Sequence, residues 1–112
     1  MTEFRDILRI QGVKAKGFGI IPKMVMLDRK LTIEAKAIYA YFCSYAGAGD
    51  TAFPTRNKIC EDLCIGKTRF YKHFQLLIDF GYIEVEQIRD EKGKFKHNIY
   101  TLTDKPVPKV VD

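Results

Sequence analysis

Residues 66–75 read GKTRFYKHFQ, a stretch dense in side chains that donate hydrogen bonds or carry positive charge. Lys67, Arg69 and Lys72 suit phosphate oxygens or the N7 and O6 acceptors of guanine, and the Thr68 and Tyr71 hydroxyls make shorter polar contacts. His73 completes the set. A second group, Arg56, Asn57 and Lys58, stands just upstream, and a third, Arg89, Lys92, Lys94 and Lys96, just downstream. The common chemistry is recognition of a polyanion rich in acceptors. Taken singly, each of these charges reads as an ordinary solvated side chain; three groups on elements that converge in space make a binding face.

Catalysis finds no support. His73 and His97 are the only histidines, and neither lies in a nucleophile elbow, a phosphate loop or a paired-carboxylate motif. The glycine-rich GAGD and GFG lack a following Lys-Ser or Lys-Thr and read as turns. Cys60 and Cys64, with His73 downstream, fall short of the four ligands that structural zinc takes. No catalytic residue, metal or cofactor is expected.

The elements that would position the donors follow from periodicity. From Thr32, a suitable N-cap, the apolar residues Ala35, Ile38, Tyr39 and Phe42 recur every three or four positions, predicting a first helix over about 32–45 that ends at GAGD. Phe53 and Pro54 form an extended lead-in, and Thr55 caps a second helix running to about Leu63, with Ile59, Cys60 and Leu63 buried. A third helix starts after Gly66 and runs to about Phe80, its apolar stripe Phe70, Phe74, Leu77 and Ile78. Burying that stripe leaves Lys67, Thr68, Arg69, Lys72 and His73 pointing outward. After Gly81 the period changes from 3.6 to 2: Ile83 and Val85 share one face and Glu84 and Glu86 the other, DEKGK turns the chain, and FKHNIYTL returns with Tyr100 and Leu102 inward.

Three helices followed by a hairpin with a basic loop is the order of a winged helix-turn-helix, an α+β fold that is mainly α. The break between Leu63 and Gly66 is then the corner between the second and third helices. The third helix would enter a DNA major groove about 12 Å wide. Arg56, Asn57 and Lys58 would meet the backbone at a helix N-terminus. The wing cations would reach flanking phosphate or minor groove. The carboxylates of Glu61, Asp62, Asp79, Glu84 and Glu86 are expected to face away.

The domain plan is an N-terminal arm over 1–30, a winged helix over 31–103 and a tail or linker over 104–112 containing Pro106 and Pro108. Pro22 excludes a continuous helix through GVKAKGFGIIPKMVML, where a short strand or extended arm leading into MVML is expected. The 112 residues suit one domain, and the net charge of +5 is distributed in blocks. Residues 1–30, 55–75 and 89–97 are each net positive, and 76–88 carries three acids and no base. An odd set of cysteines, Cys43, Cys60 and Cys64, inside helical patterns suits a reducing cytosol. No stretch reads as a signal peptide or membrane span, so a cytoplasmic protein is expected.

The run from Leu31 to Leu102 resembles the winged-helix N-terminal domain of bacterial plasmid, phage and mobile-element replication initiators, the replisome-organiser group. The resemblance rests on the Ala-rich first helix, AFPT before the second, LCIG at the corner, YKHF in the third and GYI entering the wing. KGFGIIPKMVM upstream is similar as well. The chain departs from the pattern at Cys64, where the turn ordinarily has Gly, and at Gly66, where it has a Ser cap. The resemblance implies sequence-directed binding to duplex origin DNA, with replication proteins engaged through a region beyond these residues. The sequence leaves the oligomeric state open; a homodimer is one candidate partner, which recovery of repeated half-sites would favour. Transcription regulators share the same corner. The alternative of a different class is a winged helix used for protein interaction or dimerisation, for which Tyr39, Tyr41, Phe42, Tyr45 and Phe53 would supply an aromatic face.

Overall fold

The computed structural model describes residues 18–46, 54–103 and 106–108. Expectations for residues 1–17, for the GAGD turn, for Phe53 and for the remainder of the tail lie outside these residues. The elements are α1 (Lys23–Leu27), α2 (Ile33–Ala46), α3 (Arg56–Leu63), α4 (Lys67–Asp79), β1 (Ile83–Arg89) and β2 (Phe95–Leu102). The two strands pair antiparallel, with Ile83 opposite Leu102 and Val85 opposite Tyr100.

The segment expected to be a strand or an extended arm contains the single-turn helix α1. Pro22 precedes it with φ −62, compatible with helix entry, and the Pro22 carbonyl accepts the Val25 amide at 3.1 Å. Val25 alone of this turn is buried, while Met24, Met26 and Leu27 are exposed. Burial of one anchor, reinforced by the Lys36 ammonium donating to the Met26 carbonyl at 2.8 Å, holds a turn too short to be stable alone.

Thr32 caps α2, its hydroxyl accepting the Ala35 amide at 3.1 Å. Ala35, Ile38, Tyr39, Phe42 and Cys43 turn inward against Ile59 and Cys60 of α3 and Phe70, Phe74 and Leu77 of α4. Stacked Phe42, Phe74 and Phe70, with centroid spacings of 5.8 and 5.3 Å, form the spine of this core, and Tyr100 of the wing meets Phe42 edge-on. The aromatic face suggested for a partner is thus largely spent inside: Tyr39 and Phe42 are buried, and Tyr41 and Tyr45 are half-buried.

Tyr82, at the entrance to the wing, is buried and donates to the Asp28 carboxylate at 2.6 Å. Burial alone would raise the Asp28 carboxyl, but the Tyr82 hydroxyl, the Lys30 amide and the Lys30 and Lys36 charges outweigh it and hold it below its ordinary value. The folded value is depressed, so this contribution is present above 3.8 and lost as pH falls through the folded value. Asp28→Asn is therefore expected to lower stability at pH 7 and to flatten the acid limb of a melting-temperature profile below that point. An unchanged acid limb would assign the linkage to other carboxylates.

The two ends of the α4 corner are built alike with different residues. After α4, Gly81 at φ +80 ends the helix, with the Gly81 amide bonding the Ile78 carbonyl and the Tyr82 amide the Leu77 carbonyl. After α3, Cys64 occupies the same left-handed conformation at φ 55, its amide on the Glu61 carbonyl and the Ile65 amide on that of Cys60. A left-handed conformation costs a non-glycine residue about 1–2 kcal/mol. Cys64→Gly is expected to raise unfolding stability by up to about 1 kcal/mol, after the entropy glycine loses on folding, as read by thermal melting.

Candidate nucleic-acid interface

Successive residues of an α-helix are rotated by about 100°, so the buried stripe of α4 fixes what faces outward. Phe70, His73, Phe74 and Leu77 are buried. Directly opposite run Thr68, Lys72, Gln75 and Asp79, with Lys67 and Tyr71 on one flank and Arg69 on the other. Thr68, Lys72 and Gln75 are exposed. Gln75 has no place in the sequence-based set, although its spacing of three from Lys72 and seven from Thr68 would have found it. Its amide donates to the Asp79 carboxylate at 2.8 Å, so Asp79, expected to face away, closes the C-terminal end of the outward stripe.

His73 is corrected from an outward donor to an interior residue. Its Nδ1 lies 2.8 Å from the Thr32 hydroxyl, and its Nε2 lies 3.4 Å from the Glu34 carboxylate. The Thr32 hydroxyl and the Glu34 carboxylate thus stand against the two ring nitrogens, one on each side. His73 pins the start of α2 to the middle of α4 and is removed from any surface contact.

The remaining cations divide into engaged and available. Arg69 donates to the Glu34 carboxylate through Nε at 3.3 Å and an η nitrogen at 3.0 Å. That bond, foremost, holds the Glu34 carboxyl below its ordinary range. Lys58 pairs with Asp62 at 2.8 Å, and Asp62 also accepts the Tyr41 hydroxyl at 2.7 Å. Arg56 donates to the hydroxyls of Tyr71 at 2.8 Å and Tyr100 at 3.3 Å and sits over the Tyr71 ring, clamping the start of α3 to α4 and the wing. Lys67 and Lys72 make no ion pair among the described residues.

This geometry belongs to a recognised kind of domain. A family model described as a helix-turn-helix domain matches residues 29–83. Those residues form a helix-turn-helix domain. The match spans α2 to α4 and ends where the hairpin begins, so helix-turn-helix plus β1 and β2 make a winged helix. No curated protein matches the chain. Among the described residues, no helix is long and apolar enough to cross a membrane.

The wing of the helix-turn-helix domain ends in a tight turn. Asp90 accepts the Lys92 and Lys94 amides at 2.9 and 2.8 Å, and Gly93 takes φ +79, a conformation that glycine adopts without strain. The register shifts between Ile88 and Arg89, so Lys96 is the extra residue of a bulge. Arg89 bonds within the wing, to the Gln87 side chain and the Gly93 carbonyl, while Lys92, Lys94 and Lys96 are exposed. Glu84 and Glu86 project from the outer face, as the alternation predicts. Asn57 is exposed at the start of α3.

The arrangement leaves Glu34 as a built-in competitor for Arg69. Glu34→Gln is expected to tighten duplex DNA binding about two- to fivefold at low salt by releasing one cation, since an exposed pair of this kind is itself worth under about 1 kcal/mol. A fluorescence-anisotropy titration reads it, and weaker binding would mean that the pair serves to orient Arg69.

Proposed function

We propose that this winged helix binds duplex DNA, laying the Thr68, Lys72 and Gln75 face of α4 in the major groove and the Lys92, Lys94 and Lys96 wing on the flanking backbone. The observation that carries the reading is the outward stripe of α4, whose donors are exposed and whose Lys72 is unpaired among the described residues, directly opposite the buried Phe70, Phe74 and Leu77. The role is binding, with no catalytic step. The resemblance of residues 31–102 to replication initiators supports origin DNA as the target, and replication proteins engaged through a region beyond residues 1–112. A transcription regulator fits the helix-turn-helix match equally well. Short repeated half-sites recovered from a random pool of oligonucleotides would support an origin-binding dimer.

Binding itself is tested by salt. Lys67, Lys72, Lys92, Lys94 and Lys96 together would release about five counterions, so raising salt from about 50 to 200 mM would weaken a duplex complex by up to about 500-fold. Affinity indifferent to salt would instead favour protein interaction through the exposed Ile20, Met24, Leu27 and Ile33.

A further inference from the structure

Between the start of α3 and the inner face of the wing lies a cleft of about 580 Å³, within the range of about 300–1,000 Å³ usual for small-ligand sites. Arg56 and Asn57 form one wall, and Phe95, Lys96, Asn98 and Tyr100 the other; none of its lining residues is acidic. Arg56 also bonds Tyr71 of α4, so the cleft is continuous with one flank of the outward stripe.

Three features of the cleft point to the same ligand. The Thr55 hydroxyl takes the Lys58 amide, which leaves the first two amides of α3 without a partner in the helix; with Lys96 on the facing wall they suit a phosphate. The Phe95 ring is 47% exposed and makes no ring contact among the described residues, leaving a face on which a base can stack. Asn98 lines the cleft beside Tyr100, whose hydroxyl its side-chain nitrogen meets at 3.3 Å; its carbonyl oxygen is closed off from solvent and has no partner, so a base edge would supply the N–H that this oxygen lacks by turning the amide outward.

We propose that this cleft binds one unpaired nucleotide of a DNA strand, its phosphate between the α3 N-terminus and Lys96, its base on Phe95 with an edge toward Asn98. A base inside a duplex has both faces covered by its neighbours, so a single aromatic platform selects a nucleotide out of the stack. The inference rests on the reading that this side of the domain takes nucleic acid. It adds a second mode, in which α4 holds duplex and the wing cleft holds the edge of a melted strand.

The test compares a labelled single strand of about 12 nucleotides with its duplex at low salt, using the whole chain, with thermal melts of every variant. Phe95→Ala is expected to weaken single-strand binding about tenfold while moving duplex binding less than about twofold, and Phe95→Tyr to preserve both. Asn98→Ala is expected to weaken the single strand in the same sense. Lys72→Ala is expected to do the reverse, weakening the duplex more than the single strand. A duplex bound while the single strand is ignored overturns the cleft alone, as does a Phe95→Ala variant with unchanged or equally reduced affinity for both probes. Neither probe binding overturns the duplex reading along with it.

Discussion

Phe74→Ala is expected to destabilise the domain by about 3–5 kcal/mol, the usual loss when a buried Phe is truncated. Phe74 is 4% exposed and sits where three elements meet. Its ring stacks on Phe42 of α2 and Phe70 of α4, and it meets Tyr100 of β2 edge-on at 6.1 Å. Removing it opens a cavity between rings too rigid to collapse into the space. Against a total of about 5–15 kcal/mol for an ordinary domain, that loss leaves little folded protein at elevated temperature. At roughly 4–8 °C per kcal/mol the melting temperature falls by some tens of degrees. Tyr71→Ala, one position from Phe70 but 43% exposed, is the control and loses far less. A loss under about 1 kcal/mol at Phe74 would mean that α4 does not pack by this face.

Lys72→Glu is expected to weaken duplex binding by about tenfold or more at low salt, with an unchanged melting temperature. Lys72 lies at the centre of the outward stripe, is exposed and has no ion-pair partner among the described residues, so its reversal removes one phosphate or guanine contact and adds a repulsion. The milder Lys72→Ala separates the two: it reduces the slope of log affinity against log salt by about 1 if the contact is to phosphate. Arg69→Ala is expected to cost less, because Glu34 already occupies that guanidinium. Equal losses from the two substitutions, or a loss from Glu84→Ala on the outer wing face, would reassign the binding surface.

Helices α2 to α4 and the hairpin were legible in the sequence because their signals are local. Thr32 and Thr55 cap where they stand, Gly81 ends α4, and the alternation from Ile83 to Glu86 marks a strand. Cys64 at the usual glycine position proved to be a left-handed residue at φ 55, as a departure from the pattern at an otherwise intact corner implied. What the sequence hid depends on partners far along the chain. His73 looks like one more polar residue of a basic stretch until Thr32 and Glu34, some forty residues upstream, are brought against it. Arg69 and Lys58 look as available as Lys72 until Glu34 and Asp62 are placed beside them. α1 escaped because a five-residue turn anchored by one valine has no periodicity to read. The wing cleft escaped because Asn57 and Asn98 stand far apart in sequence and meet only through the return of β2.

The claim on which the functional account depends is that the Thr68, Lys72 and Gln75 face of α4 touches DNA. The most direct measurement is the amide spectrum of the isotope-labelled protein during titration with a short duplex at low salt. The account predicts that the largest shifts fall on residues 67–75, with a second set on the wing from Arg89 to Lys96, while α1 stays fixed. Shifts confined to Ile20, Met24, Leu27 and Ile33, with α4 unmoved, would contradict it.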